Sequence, residues 1–272
     1  KKQHNLVYCL DALDAYNKSL VKKIQVKGFE IKNLRGTNSY LYLQDIVLSS
    51  KKPPMAKIEF EISYNISINR ETRILAVGQN LYQMEQYKNG YTISDINPFT
   101  NTITFLNGEV IHVGEVVGDI SDKDIRRIQI RETIASHFEK EEMLYNKGIK
   151  CLSLFFIDEV ANYRDYSQPD EKGEYARIFE EEYTNALNEK LSLIETPYAK
   201  YLSKIDTKDT HKGYFSIDKK TGRMIDSNEK KGEGSDDISA YDLILKNKER
   251  LLSFEEPTRF IFSHSALREG WD

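Results

Sequence analysis

Between about residues 20 and 115 the apolar positions tend to recur at every second place. The longest run is 57–68, where Ile58, Phe60, Ile62, Tyr64, Ile66 and Ile68 alternate with polar residues. A period of two puts all six on one face of a strand, the pattern of a sheet with one buried side. Further β-rich runs lie at 20–31, 40–48, 73–77 and 91–96. Residues 102–106 and 109–113 flank Asn107 and Gly108, the pair that a two-residue type I′ hairpin favours because both central residues need positive φ. Asn89 and Gly90 make a second pair of this kind. Short strands so closely spaced predict an all-β antiparallel barrel or sandwich with an Ile- and Tyr-rich core.

After Gly118 the period changes. Ser121 to Asp124 reads as a helix start, and Ile125, Ile128, Ile134 and Phe138 fall mostly on one helical face, up to a stop at Lys147 and Gly148. Residues 149–157 form a nearly continuous apolar run, the signature of a strand buried on both faces in a parallel sheet. A helix over 174–193 carries Tyr175, Ile178, Phe179, Leu187 and Leu191 along one stripe. Strand-like 211–217, helical 238–252 and a short buried strand at 259–262 follow, so this half is α/β. The polar stretch 219–235 has no apolar period and is expected to be a mobile loop.

The formal net charge of −4 hides a split: residues 1–118 hold 14 Lys and Arg against 11 Asp and Glu, and residues 119–272 hold 25 against 32, giving +3 and −7. Different partners for the two halves follow from that difference. With 39% hydrophobic residues, no apolar run approaches the ~18 to 20 residues of a membrane span, and two cysteines cannot build a disulfide framework. A cytoplasmic location is the simplest expectation. The five histidines, at 4, 112, 137, 211 and 264, form no zinc-ligand spacing, and neither a GxxxxGK[ST] nor a GxGxxG phosphate loop occurs. Asp170 and Asp218 with Lys219 and Lys220 imitate a magnesium-dependent nuclease pattern, but both sit in polar segments where such residues are expected as solvated loop. Lys18, Lys22, Lys23, Lys27 and Lys32 form a basic approach to the β-rich part, either the outward face of an edge strand or a contact for a nucleic-acid backbone.

The closing run 260–272 is the most informative, because a buried strand empties into small polar residues and then Arg268, Glu269, Gly270 and Asp272. In open α/β sheets ligands bind beyond the carboxyl ends of strands, so a site belongs there, and Asn162 and Arg164 follow another strand end. The run resembles motif V of superfamily 2 helicases and translocases. Together with 149–164, 211–219, 241–252, 129–134 with His137, and 20–26, it resembles the restriction (Res) subunit of type III restriction-modification enzymes.

That resemblance implies residues 1–19 as the tail of a first RecA-like domain, 20–118 as an inserted β-rich module, and 119–272 as a second RecA-like domain ending after motif V. The family's phosphate loop would then precede Lys1 and its arginine-bearing motif VI would follow Asp272, leaving the chain alone inactive. Ser263, His264, Ser265 and Arg268, with Asn162 and Arg164, would meet the DNA backbone, and Glu269, Gly270 and Asp272 would face ATP. The resemblance further implies ATP and Mg²⁺ as cofactors, double-stranded DNA as substrate and a modification (methyltransferase) subunit as partner. No resident metal site of this segment is expected. The alternative is a non-catalytic module that binds DNA or protein, carried on an α/β scaffold.

Overall fold

The computed structural model describes residues 10–21, 26, 28, 30–32, 40–64, 67–81, 90–118, 120–193, 196–218, 220–226 and 248–264. The chain divides into two compact units, Lys1–Ile120 and Ser121–Asp272.

The first unit opens with a short helix, α1 (Ala12–Asn17), whose N-terminus is capped by the Asp11 carboxylate accepting from the Asp14 N–H at 2.8 Å. The strands are β1 (Glu30–Lys32), β2 (Leu41–Val47), β3 (Met55–Tyr64), β4 (Ser67–Leu75), β5 (Ile93–Asn97), β6 (Thr102–Phe105), β7 (Val110–His112) and β8 (Glu115–Val117). They form a five-stranded sheet in the order β1-β8-β2-β3-β4 and a three-stranded sheet β5-β6-β7, without a closing pair among the described residues. Alternation does its work in β3: Ile58, Phe60 and Ile62 are buried, and they join Leu41 and Leu43 of β2, Ile93 and Ile96 of β5, Ile103 and Phe105 of β6 and Ile111 of β7 in one apolar cluster. Tyr91 enters that cluster edge-on to Phe105, at 5.2 Å between ring centres. Tyr40 and Tyr42 are buried outside it, and the Tyr40 hydroxyl donates to the Glu59 carboxylate at 2.5 Å.

Two expectations for this unit need correcting. The sheet is not wholly antiparallel, because β1 runs parallel to β8, with Glu30 opposite Glu115. The β6–β7 hairpin turns through three residues and not two. Gly108 N–H donates to Phe105 O at 3.0 Å, and Gly108 alone, not Asn107, takes positive φ, +85°. The Asn107 side chain instead accepts from the Glu109 N–H at 3.0 Å, so the pair supports a type I turn followed by a left-handed glycine. Asn89, Ile66 and residues 22–25, 27 and 29 of the first β-rich run lie outside the described residues.

The second unit holds α2 (Asp122–Tyr145), β9 (Ser153–Phe156), α3 (Glu174–Leu193), α4 (Pro197–Leu202), β10 (His211–Tyr214), β11 (Ser216–Ile217), β12 (Met224–Ile225), a short helix Lys248–Leu251 and β13 (Phe260–Ser263). Helix α2 starts where Ser121 and Asp124 form a reciprocal capping box, which satisfies two of the helix's orphan N–H groups. Strands β10, β13 and β9 make a parallel sheet in that order, with Phe260 opposite both His211 and Ser153. Central β13 is buried throughout. Its Phe260 and Phe262 pack among Phe155, Phe179 and Tyr163, with Ile134 and Phe138 of α2 in the same cluster, while Ile261 joins Leu154, Tyr214 and Leu251 in another. The run 149–157 is less enclosed than its composition implies: Ile149 and Phe156 are 50% and 59% exposed. Strand β9 pairs only with β13 among the described residues, so it is an edge there, and its apolar residues are only partly covered. The polar residues 219 and 227–235, and the helical run up to residue 247, lie outside the described residues.

Beneath the sheet lies a buried charge cluster that the period analysis does not reveal. Glu141 on α2 and Arg259, just before β13, are both fully enclosed, and Arg259 Nε donates to Glu141 Oε2 at 2.9 Å. The Tyr198 hydroxyl donates to the same oxygen at 2.7 Å, and Arg259 reaches Pro257 O at 2.6 Å and the Tyr201 hydroxyl at 2.5 Å. Nearby, Lys150 Nζ donates to the carbonyls of Leu251, Ser253 and Glu256. These contacts tie the entry to β13 to helices α2 and α4.

Candidate functional site

Three parallel strands exit at one edge of the sheet, and the segments that follow them are bonded to one another. Beyond β9, Ile157 N–H donates to Ser263 O at 2.9 Å, joining it to the end of β13. A 3-10 turn, Val160–Asn162, comes next, and Val160 N–H donates to the Asp226 carboxylate at 2.7 Å, which pins the β11–β12 hairpin against the same edge. Met224 N–H donates to the Tyr166 hydroxyl at 2.8 Å. Tyr163 stacks on Phe262 at 4.7 Å, and its hydroxyl lies 2.9 Å from His211 Nδ1. His211 Nε2 lies 3.3 Å from Glu180, which also accepts from Lys172 at 2.6 Å. The hydrogen bond to His211 and the Lys172 ammonium hold Glu180 at about 2 against the opposing effect of burial. Burial pushes the Tyr163 hydroxyl far above its usual range, so it stays protonated. Gly173 is required here, because a Cβ would collide with the Ala161 and Asn162 backbone where α3 approaches the 3-10 turn.

Between these exits and the first turns of α2 and α3 runs a cleft lined by Arg126, Gln129, Phe156, Asp158, Tyr175 and Phe262, among others. Partial burial opposes ionisation of Asp158, but the Asn162 amide at 2.9 Å, two backbone N–H groups and the Arg126 charge hold its carboxyl below the usual range. The cleft therefore offers a cation, an amide, a carboxylate and aromatic surface at the end of a parallel sheet, where ligands of such sheets bind.

Of the residues singled out by sequence, Asn162 and Arg164 stand on this edge, each with a local bond: Asn162 to Asp158, and Arg164 to Glu171 at 2.5 Å. Ser263 ends β13 fully buried, and its hydroxyl has no hydrogen-bond partner among the described residues. His264 follows, half-buried. Ser265, Arg268, Glu269, Gly270 and Asp272 lie outside the described residues, as do Lys22, Lys23, Lys27 and Lys219. Asp170 pairs with Arg177 at 2.7 Å, and Asp218 accepts from Lys220 N, Thr221 N and Thr221 Oγ1, so both carboxylates serve local structure. Among the described residues no group of His, Cys, Asp or Glu could hold a metal ion, and no helix is long and apolar enough to cross a membrane. Tyr166, Arg223 and Asp226 also reach this edge, and nothing in the spacing of the polar stretch marks them.

No family model matches the chain. It is 33% identical over 275 residues to the EcoPI Res subunit of Escherichia phage P1, and 33% identical over 274 residues to the EcoP15I Res subunit of Escherichia coli, both type III restriction-modification enzymes. The StyLTI Res subunit of Salmonella typhimurium is 27% identical over 296 residues. The chain is related to an internal segment of type III Res subunits. These alignments cover 98% of the chain for the first two relatives and 97% for the third, but the chain spans about a quarter, 26%, of the relatives' length.

Proposed function

We propose that this chain is part of the ATP-driven DNA translocase of a type III restriction endonuclease, and that its second unit is the second RecA-like lobe of the motor. The observation that carries this is the alignment with Res subunits along nearly the whole chain. A parallel sheet whose three strand exits are bonded into one edge supports it. Motors of this class bind ATP between two lobes and change their grip on DNA as the cleft closes, so one lobe holds half of each site.

In this reading the edge faces DNA. His264, Ser265 and Arg268 meet the phosphate backbone beside Asn162 and Arg164, by hydrogen bonds that position the duplex without reading its sequence. The Ser263 hydroxyl is fully buried at the strand end, so in this reading it meets no phosphate directly. Glu269, Gly270 and Asp272 face the nucleotide, where ATP with Mg²⁺ supplies the energy for movement. No phosphate loop occurs in the sequence, and in this reading the remaining ATP ligands belong to the other lobe. Residues 1–19 would be the tail of that first lobe and the β-rich unit an inserted module. The assembled enzyme would work in the cytoplasm on double-stranded DNA with a modification (methyltransferase) subunit.

The test is ATP hydrolysis by the purified chain, with and without duplex DNA. No turnover above background is expected. Turnover near the ~1 to 1000 per second of ordinary enzymes would place a complete ATP site within the chain and contradict the division between lobes.

A further inference from the structure

The β11–β12 hairpin brings a second arginine to the carboxyl edge of the sheet. The guanidinium of Arg223 lies 4.9 Å from the centre of the Tyr166 ring, and that of Arg164 lies 5.8 Å from the same centre. Both supports of Arg223 are fixed. The Tyr166 hydroxyl accepts from the Met224 N–H at 2.8 Å, and the turn before Arg223 is closed by the Asp218 carboxylate, which takes three hydrogen bonds from Lys220 and Thr221. Beyond the hairpin, Asp226 anchors the chain to Val160.

The two arginines differ in how their charge is met. Arg164 is paired with Glu171 at 2.5 Å, whereas Arg223 is exposed and has no acidic partner among the described residues. Residues 119–272 carry a net −7, so carboxylates are in excess there, yet none of the described ones pairs with this guanidinium. The Arg164 charge is already met by Glu171, so of the two guanidinia at this ring it is Arg223 that is left to take an anion. A guanidinium already stacked on an aromatic face keeps its N–H groups available around its rim for bidentate bonds to phosphate, and loses little further freedom on binding.

We infer that Arg223, held against Tyr166, binds a phosphate of the DNA backbone next to Arg164. This rests on the DNA-facing reading of the edge. It adds a contact from the β11–β12 hairpin, at a residue that neither spacing nor motif marks. The contact is independent of base sequence, because a lone guanidinium on a phosphate reads charge and geometry only.

The experiment is a titration of the whole chain with two unrelated duplexes of about 20 base pairs across a range of salt, since each neutralised phosphate adds about 0.9 to the slope of log affinity against log salt. Arg223→Ala should weaken both duplexes about five- to tenfold at moderate salt and lower the slope by about 1. Arg223→Lys should restore the slope but only part of the affinity, because the charge returns without the stacked fork. Tyr166→Leu, which keeps both charges, should weaken binding without changing the slope. A wild-type chain that binds neither duplex would defeat the DNA-facing reading and this contact with it. Full binding by Arg223→Ala with an unchanged slope would overturn the Arg223 contact alone. Loss of ATP turnover with DNA binding intact, when Arg223→Ala is placed in the complete polypeptide with its first motor lobe, would assign the residue to a nucleotide, and would also overturn it.

Discussion

Glu141 and Arg259 show how much a single buried pair can hold. Burial alone would raise the Glu141 carboxyl, but the His137 imidazole 3.6 Å away, the Arg259 guanidinium and the Tyr198 hydroxyl outweigh it and bring it from 4.5 to about 2. A carboxyl whose folded value is depressed contributes stability that is complete above about pH 4.5 and is lost as the pH falls towards about 2. Urea unfolding followed across that window should therefore show stability falling with acid. In Glu141→Gln this component should vanish, and stability at neutral pH should drop by about 3 to 5 kcal/mol, because Arg259 is left as an uncompensated buried charge. An unchanged acid dependence in the variant would mean that other carboxylates carry it. Since Arg259 leads directly into β13, the pair also sets the position of the strand that ends at Ser263.

At the scale of elements, the start of α2 is the clearest case of sequence carried into structure. The Ser121 hydroxyl accepts from the Asp124 N–H at 3.3 Å while Asp124 Oδ2 accepts from the Ser121 N–H at 3.0 Å. Ser121→Ala should cost about 1 kcal/mol, measured by thermal or denaturant unfolding, and a loss below a few tenths would show that the cap is idle. This helix, the stripe on α3 and the alternation in β3 were legible because each is a local, periodic signal. The parallel pairing of β1 with β8 was not, since it joins strands 85 residues apart, from Glu30 to Glu115, and no local pattern encodes it. The Asn107 and Gly108 pair marked a turn correctly but not its length: the pair fits both two- and three-residue loops, and cross-strand register decides between them. The pairing of Arg259 with Glu141 was not legible either, because the two lie 118 positions apart. At the site, Asn162 and Arg164 were found from the strand exit before them, whereas Arg223 sits in a polar stretch whose composition carries no period.

For the molecule as a whole, the division into Lys1–Ile120 and Ser121–Asp272 sets a β-rich unit beside an α/β unit of opposite charge balance. In the proposal, the motor lobe would use the second unit's strand exits for DNA, and the residues after β13 would couple DNA to nucleotide. That coupling is the central claim, and it assigns separate duties to Ser265 and Arg268 on the DNA side and to Asp272 on the ATP side. The most direct measurement is DNA-stimulated ATP turnover, together with nucleotide-independent DNA affinity, of Asp272→Ala in the complete polypeptide that contains this segment together with its first motor lobe. Turnover should fall by at least about tenfold, a barrier increase of about 1.4 kcal/mol, while DNA affinity and melting temperature stay near wild type. Undiminished turnover, or a parallel loss of turnover, DNA affinity and melting temperature, would contradict the coupling role and leave the loop as part of the fold's support.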